Sequence, residues 1–293
     1  MNRLRATVFL SSFWLRIIGL LTITLDHIGV FLEWNSNPNI VQVGSIFRII
    51  GRIAFPIFIF LLAEGMRHTR NKERYLLRIG ILYLVLTIAQ VIGIYWKGIA
   101  DLNYAPNPFA DLILCTLLLY FLASSPWWKK LFAILPAGIL IACFIFRVYE
   151  LQNDVTITWF PYPFRPSYTL IGLGASLGFY YAPKIMNKLM HSYNQSQGIS
   201  DEVYQESGYG QRNANMLGAI FFFLLVLGLW GLSYINERSI DPLDMSTQAW
   251  CLLALLPILF YNGKKGYSAK WFSIFSYAYF PVHLVILFLI FGL

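Results

Sequence analysis

Long apolar runs separated by short polar segments dominate the hydropathy pattern of the chain. A helix needs about 20 mostly apolar residues to cross a membrane, and about nine runs come close to that length. They lie near residues 13–33, 44–66, 75–96, 110–124, 131–149, 166–183, 214–235, 247–261 and 271–291. The pattern therefore predicts an all-α, polytopic transmembrane helical bundle.

The longest polar interruption is residues 192–213, SYNQSQGISDEVYQESGYGQRN. Its Gly, Ser and Gln content is typical of a loop. We expect one membrane-embedded domain over 1–293, with a flexible cytoplasmic loop near 184–213. The chain shows no internal repeat, which weakens an interpretation as a transporter because many transporters are built from repeats.

Composition supports a membrane protein, since 58% of the residues are hydrophobic and only 12% are charged. Soluble domains carry about 25% charged residues. Basic residues cluster in the loops that face the cytoplasm if the N-terminus does. They are Arg67, Arg70, Lys72, Arg74, Arg78, Lys129, Lys130, Lys184, Lys188, Arg212, Lys264, Lys265 and Lys270. The positive-inside rule then predicts a cytoplasmic N-terminus and an external C-terminus in a multi-pass protein of the cytoplasmic membrane.

The net charge of +8 is explained by this topology and by contacts with anionic membrane lipid, so we expect no nucleic-acid partner. Arg3 and Arg5 precede the first apolar run, as in a signal peptide, but that run has no small-residue cleavage site. We expect it to be a retained first helix. The three cysteines, Cys115, Cys143 and Cys251, have neither a paired spacing nor a metal-ligand spacing, so no metal site is predicted.

Few ionisable residues lie inside the predicted spans, and each is costly there, so each is a candidate for function. The set is Arg16, Asp26, His27, Arg48, Arg52, Glu64 and His283, with Asp111 near an outer end. At a rise of about 1.5 Å per residue, Asp26, His27, Arg52 and His283 fall at one depth in the outer half of the membrane. The shared depth predicts a catalytic site. The structural alternative is an Asp26–Arg52 ion pair, with both histidines bonded to backbone carbonyls.

Arg16 and His27 are eleven residues apart and fall on one face of the first helix, about three turns from each other. The face offers a cation at the inner surface and a base deeper in the membrane. A long ligand with a phosphate head and a reactive tail, such as coenzyme A, would fit it. Arg16 equally suits a purely topological role, with its charge reaching the headgroups.

Glu64 and His68 share a face at the inner end of the second predicted helix, directly before Arg70. This cluster could bind the nucleotide end of a cofactor, so Arg16, Glu64, His68 and Arg70 are the predicted cofactor-binding residues. The alternative is a capped helix end in contact with anionic lipid.

Four segments resemble the TraX family, which is named for an F-plasmid pilin acetylase. They are LRIIGLLTITLDHIG at 15–29, RIIGRIAFPIFIFLLAEGMRHTRNKERYLLR at 48–78, ALLPILFYNGKKG at 254–266 and FSYAYFPVHLVILFLI at 275–290. The first helix also resembles that of the acyltransferase 3 family, in which a basic residue, ten intervening residues and a histidine recur. In that family the histidine is implicated in acetyl transfer from acetyl-CoA.

The resemblance implies a membrane acyltransferase that uses acetyl-CoA. It carries over Asp26, His27, Arg52, Glu64, His68 and His283. Histidine suits the task because its pKa lies near neutral pH, so that it can accept a proton from a hydroxyl or amine. Arg52 or His283 could stabilise the developing oxyanion.

Adjacent residues on a helix point about 100° apart, so Asp26 is expected to hold Arg52 or Arg48 rather than His27. The acceptor stays open among pilin, an envelope glycan, a lipid and a small molecule. Two other functions compete with acyl transfer: a secondary transporter with a relay of Asp26, His27 and His283, and an assembly protein of the cell envelope.

Overall fold

The computed structural model describes residues 8–97, 105–235 and 241–291, and Arg3 and Arg5 lie outside these ranges. The described residues form α-helices without any strand. The helices are α1 Ser12–Glu33, α2 Pro38–Gly51, α3 Ala54–His68, α4 Lys72–Lys97, α5 Pro108–Leu122, α6 Trp127–Leu131, α7 Ile134–Asn153, α8 Leu170–Ser196, α9 Asp201–Glu206, α10 Gly208–Ile235, α11 Met245–Gln248, α12 Leu255–Leu259 and α13 Lys270–Phe291. Short 3-10 helices cover Tyr162–Phe164 and Ala249–Ala254.

Six helical segments among the described residues are long and apolar enough to cross a membrane. They are Ser12–Glu33, Pro38–His68, Lys72–Tyr95, Trp127–Asn153, Gly208–Tyr234 and Lys270–Phe291, and two shorter apolar helices cover Pro108–Leu122 and Met245–Leu259. The all-α membrane fold predicted from the sequence is confirmed. The count of nine spans and their orientation stay predictions.

The second span is interrupted at Arg52 and Ile53, between α2 and α3. Pro56 explains the interruption, because it has no N–H to donate to the carbonyl of Arg52 and its ring collides with that carbonyl in a regular helix. The backbone N–H of Arg52 still donates to Arg48 O at 3.1 Å. Arg52 therefore occupies a helix end inside a membrane segment.

Glycines allow α1 and α2 to pack in backbone contact. A Cβ atom on Gly29 would lie 2.7 Å from the carbonyl oxygen of Gly44, and one on Gly44 would lie 2.9 Å from that of Gly29. Further along α2, a Cβ atom on Gly51 would lie 2.2 Å from Cβ of Asp26. This contact leaves no space for a larger side chain beside Asp26.

The described residues divide into two compact units. The first comprises residues 8–61, 178–226 and 247–291, and the second comprises residues 62–97, 105–177, 227–235 and 241–246.

In the first unit, the segment before α1 is paired with the segment before α13. Residues Leu10 and Tyr261 form a parallel bridge, and the N–H of Ser12 donates to Lys264 O at 2.9 Å. Asn262 N donates to Leu10 O at 2.8 Å. These bonds satisfy backbone groups at the start of α1 and hold it beside a basic segment.

In the second unit, buried polar side chains hold the segment between α7 and α8. Asp111 is fully buried and accepts hydrogen bonds from the backbone N–H groups of Ser167, Tyr168 and Thr169, at 2.6 to 3.0 Å. These bonds compensate for its loss of water. Its contacts are those of a structural anchor.

The same segment contains a buried ion pair, in which Arg165 Nη1 donates to both carboxylate oxygens of Glu150 at 2.9 Å. The Tyr162 hydroxyl donates to Glu150 Oε2 at 2.9 Å. Burial raises the pKa of Tyr162 above its usual value, and the Glu150 carboxylate raises it further. Tyr162 therefore keeps its proton and its hydrogen bond at neutral pH.

Residues 184–213, predicted as a flexible loop, contain the end of α8, all of α9 and the start of α10. Ser200 accepts a hydrogen bond from Val203 N at 3.3 Å, and Asp201 and Glu202 stand in the first turn of α9. A capping side chain and acidic residues in the first turn both favour a helix. A polar composition is common to loops and to solvent-exposed helices, so it does not distinguish the two. The flexibility of this segment and its cytoplasmic location stay predictions.

The close packing of α1 and α2 predicts that Gly51→Ala destabilises the protein by roughly 1 to 3 kcal/mol, since the added methyl would overlap Asp26. Thermal unfolding in detergent measures the effect. Gly138→Ala in α7 is the matched control, because a Cβ atom there meets nothing within 4 Å. In a helix interior that change should stabilise by about 0.5 to 1 kcal/mol. Equal effects of the two substitutions would contradict the packing argument.

Candidate functional site

Two histidines meet where α1 packs against α13. His27 Nδ1 lies 2.7 Å from His283 Nε2, and the two rings are stacked with their centroids 5.0 Å apart. His283 is 5% exposed, and His27 is half-buried. The shared depth predicted for the two residues thus corresponds to a direct hydrogen bond.

The other nitrogen of His283 fixes the direction of that bond. His283 Nδ1 lies 2.7 Å from the backbone oxygen of Tyr279, and a carbonyl can only accept. In the neutral ring His283 Nδ1 therefore carries the proton, and Nε2 accepts from His27 Nδ1–H. His27 Nε2 is left with a free lone pair, and no described residue donates a hydrogen bond to it. This is the arrangement of a general base whose tautomer is set by a second residue.

Tyr279 supports His283 in two further ways. Its ring stacks on the imidazole with centroids 4.8 Å apart. Its hydroxyl bonds to Thr24 Oγ1, which itself donates to Leu20 O at 2.8 Å. The Tyr279 hydroxyl is therefore the donor to Thr24. The Tyr279 side chain thus contacts α1 through its hydroxyl and His283 through its ring.

Asp26, the neighbour of His27, faces α2 instead of α13. Its Oδ1 accepts from Arg52 Nη2, and both side chains are about one-tenth exposed. Arg52 Nε also donates to Arg48 O at 3.1 Å. The ion pair expected between Asp26 and Arg52 is present, and the two adjacent residues of α1 serve different partners.

A second arginine and two further side chains extend this cluster. Arg48 Nη1 donates to Glu33 Oε2 at 3.1 Å, and Arg48 Nε lies 4.0 Å from Asp26 Oδ1. Arg52 Nη1 donates to Gln248 Oε1 at 3.3 Å. The first unit therefore contains two arginines and two carboxylates in one group, with Gln248 at its edge.

Arg16 lies three turns before His27 on the unbroken helix α1, about 16 Å along its axis. Its side chain makes no ion pair or hydrogen bond with another described residue. Ser12, one turn before it, is bonded to the backbone of Lys264, and Phe13 to that of Lys265. Two exposed lysines thus stand at the end of α1 that carries Arg16.

Glu64, His68 and Arg70 belong to the second unit. Glu64 is 4% exposed and pairs with Arg67, and its Oε2 lies 3.5 Å from His68 Nε2. His68 and Arg70 are exposed. Glu64 and His68 share a face as predicted, while the role of these three residues in binding a cofactor stays a prediction.

Sequence reasoning missed Gln248 and Tyr279. Gln248 lies at the start of the predicted apolar run 247–261, which is a detectable signal, but nothing in the sequence pairs it with Arg52. Tyr279 acts through its backbone oxygen and its ring, and one tyrosine among 18 gives no signal of that kind.

The buried ion pair makes a stability prediction. Arg52→Met leaves the Asp26 carboxylate without its main partner and should cost about 3 to 5 kcal/mol, whereas Asp26→Leu combined with Arg52→Met should recover most of the loss. Urea unfolding in detergent measures both variants. Arg48→Met is the control, since its more exposed pair with Glu33 is expected to contribute about 0 to 1 kcal/mol. Additive losses in the double variant would contradict the pairing.

Comparisons with known proteins agree with the sequence motifs. The chain is 26% identical over 283 residues, 94% of each chain, to "Probable fimbrial assembly protein FimC, serogroup H1" of Dichelobacter nodosus. No solved structure matches it. The profile of the TraX family, described as "TraX protein", matches residues 11–160, which include α1 to α7 and more than half of the 293 residues. The chain belongs to the TraX family.

Proposed function

We propose that the protein is an acyltransferase of the cytoplasmic membrane, which moves an acetyl group from cytoplasmic acetyl-CoA to a hydroxyl or amine at the membrane or its outer face. One observation carries the proposal: the hydrogen-bonded series from His27 through His283 to the Tyr279 carbonyl, which leaves His27 Nε2 as an unoccupied base. The relationship to the acyltransferase 3 family remains a resemblance.

The chemistry needs one base in two roles. His27 Nε2 takes the proton of the acceptor O–H or N–H as the acceptor oxygen or nitrogen attacks the thioester carbonyl carbon. The tetrahedral intermediate then collapses, the carbon–sulfur bond breaks, and the imidazolium of His27 returns the proton to the leaving thiolate. The products are the acetylated acceptor and free coenzyme A.

His283 is a positioning residue in this scheme. When His27 gains a proton, its Nδ1–H remains bonded to His283 Nε2, which stabilises the imidazolium by a charge-assisted hydrogen bond. The backbone of Tyr279 keeps His283 in the accepting tautomer. His283 thereby acts as a neutral counterpart of the carboxylate in a catalytic triad.

Donor binding is assigned to the end of α1 that carries Arg16. A guanidinium can bind phosphate oxygens with two parallel hydrogen bonds, and the Arg16 side chain has no ion-pair or hydrogen-bond partner among the described residues. Lys264 and Lys265 add positive charge at the same helix end. The separation of Arg16 and His27 along one face suits a donor whose phosphates and thioester lie at opposite ends.

The first acceptor to test is a fimbrial subunit. The relative that matches 94% of the chain is named as a fimbrial assembly protein, and the family resemblance is to a pilin acetylase. An envelope glycan, a lipid and a small molecule are the other acceptors to include.

A proton relay through the membrane fits the same residues less well. The series of hydrogen bonds ends at the carbonyl oxygen of Tyr279, which has no proton to pass on. Asp26 is held by Arg52 and not by His27. Both features favour a fixed base over a proton-conducting path.

His27→Ala should abolish acetyl transfer while leaving acetyl-CoA affinity nearly unchanged, because the base is lost and the phosphate site is not. Label transferred from radioactive acetyl-CoA in inverted membrane vesicles measures transfer. His191→Ala is the matched control, since His191 is exposed and bonds to Asp201 outside the proposed site. Near-normal turnover in His27→Ala, or none in the wild type, would overturn the proposal.

Arg16→Ala should weaken acetyl-CoA binding by at least tenfold, and Arg16→Lys by less, because lysine keeps the charge but loses the paired hydrogen bonds. Calorimetric titration of the purified protein in nanodiscs gives the affinities. Arg147→Ala in α7 serves as a control for lost positive charge. Wild-type affinity in Arg16→Ala would show that the donor phosphates bind elsewhere.

A further inference from the structure

Gln248 presents a buried hydrogen-bond donor that nothing in the described residues satisfies. The side chain is 4% exposed, and its Oε1 accepts from Arg52 Nη1 at 3.3 Å. Its Nε2 is buried without a hydrogen-bond partner. Buried amide donors are nearly always paired, so this atom points to a missing acceptor.

The orientation of the amide follows from its partner. A guanidinium can only donate, so the oxygen of Gln248 must face Arg52 and the NH₂ group must point away. Turning the amide over would place two donors against each other. The unpaired NH₂ is therefore a consequence of the Arg52 contact.

A second buried donor lies in the same group. Arg48 Nε has no hydrogen bond within the described residues, although it is 4.0 Å from Asp26 Oδ1. Two buried donors around the Asp26–Arg52 pair thus lack an acceptor, and an oxygen atom of a ligand would supply one.

Charge determines which kind of oxygen fits. The positive charges of Arg48 and Arg52 are balanced by Asp26 and Glu33. An anion such as phosphate would add an uncompensated charge in a buried site, which is unfavourable. A neutral carbonyl oxygen accepts hydrogen bonds without that cost.

The position of Gln248 connects this donor with the proposed reaction. Gln248 ends α11 and precedes the 3-10 helix Ala249–Ala254, so its backbone departs from regular α-helix at this point. Its partner Arg52 is bonded to Asp26, and Asp26 directly precedes His27. The polar group that includes Gln248 therefore begins one residue from the proposed base.

We propose that Gln248 Nε2 binds the thioester carbonyl oxygen of the acyl donor and stabilises the oxyanion that develops there. The assignment rests on the proposed acyltransferase function and adds the group that recognises the acyl carbonyl. A preorganised donor that strengthens its bond as charge grows on oxygen lowers the barrier to acyl transfer. Gln248 would then distinguish a thioester from a thioether of the same size.

The test compares acetyl-CoA with S-ethyl-CoA, which lacks only the carbonyl oxygen, by titration of the full chain in nanodiscs. The wild type should bind acetyl-CoA about tenfold more tightly, as one hydrogen bond warrants. In Gln248→Glu, which keeps an oxygen for Arg52 but loses the donor, the two affinities should become equal. Gln42→Glu, on the exposed side of α2, should keep the wild-type preference.

Infrared spectroscopy provides a readout on the wild type that does not depend on any variant folding. The stretching band of ¹³C-labelled acetyl carbonyl should move to lower frequency on binding, and Gln248→Met should reverse the shift. An unshifted band, or a thioester preference that survives Gln248→Glu, overturns the assignment while leaving the proposed function intact. Failure of the wild type to bind either coenzyme A derivative overturns both.

Discussion

A buried carboxylate inside a membrane segment needs partners that compensate for its lost water, and for Asp26 the main partner is Arg52. The pair depends on two features of the backbone. Pro56 interrupts the second span and places Arg52 at a helix end. Gly51, Gly29 and Gly44 let α2 approach α1 closely enough for the guanidinium to reach the carboxylate. The Asp26–Arg52 pair therefore requires both the helix break before Pro56 and the close packing of α1 against α2.

The geometry of α1 then separates two tasks that lie next to each other in the chain. Because successive side chains point about 100° apart, Asp26 faces α2 while His27 faces α13. The first residue anchors a charge cluster that includes Gln248, and the second is hydrogen-bonded to His283 in the way the proposed base requires. Neither histidine competes with the ion pair for a partner.

Much of this arrangement could be predicted from the sequence. The rise per residue of a regular helix predicts that Asp26, His27, Arg52 and His283 lie at one depth. The rotation of about 100° per residue predicts that Asp26 and His27 point to different neighbours. The break at Arg52 is implied by Pro56 in the same way.

Other features depend on which helices become neighbours, and a single sequence contains little information about that. The contact of Gln248 with Arg52 joins positions 196 residues apart, and the pairing of Ser12 with Lys264 joins the two ends of the chain. The helices within the polar segment 184–213 were not predicted for a different reason. Its helices are stabilised by caps such as Ser200, which overall composition does not reveal.

In the proposed reaction acetyl-CoA lies along α1, with its phosphates at Arg16 and its thioester at His27. The most direct measurement is an electron cryo-microscopy structure of the protein with S-ethyl-CoA, a non-reactive analogue of the donor. This arrangement predicts the diphosphate in contact with Arg16 and the sulfur about 3 to 4 Å from His27 Nε2, within reach for proton transfer. A coenzyme bound with its sulfur away from His27, or entering from the opposite end of α1, would contradict it.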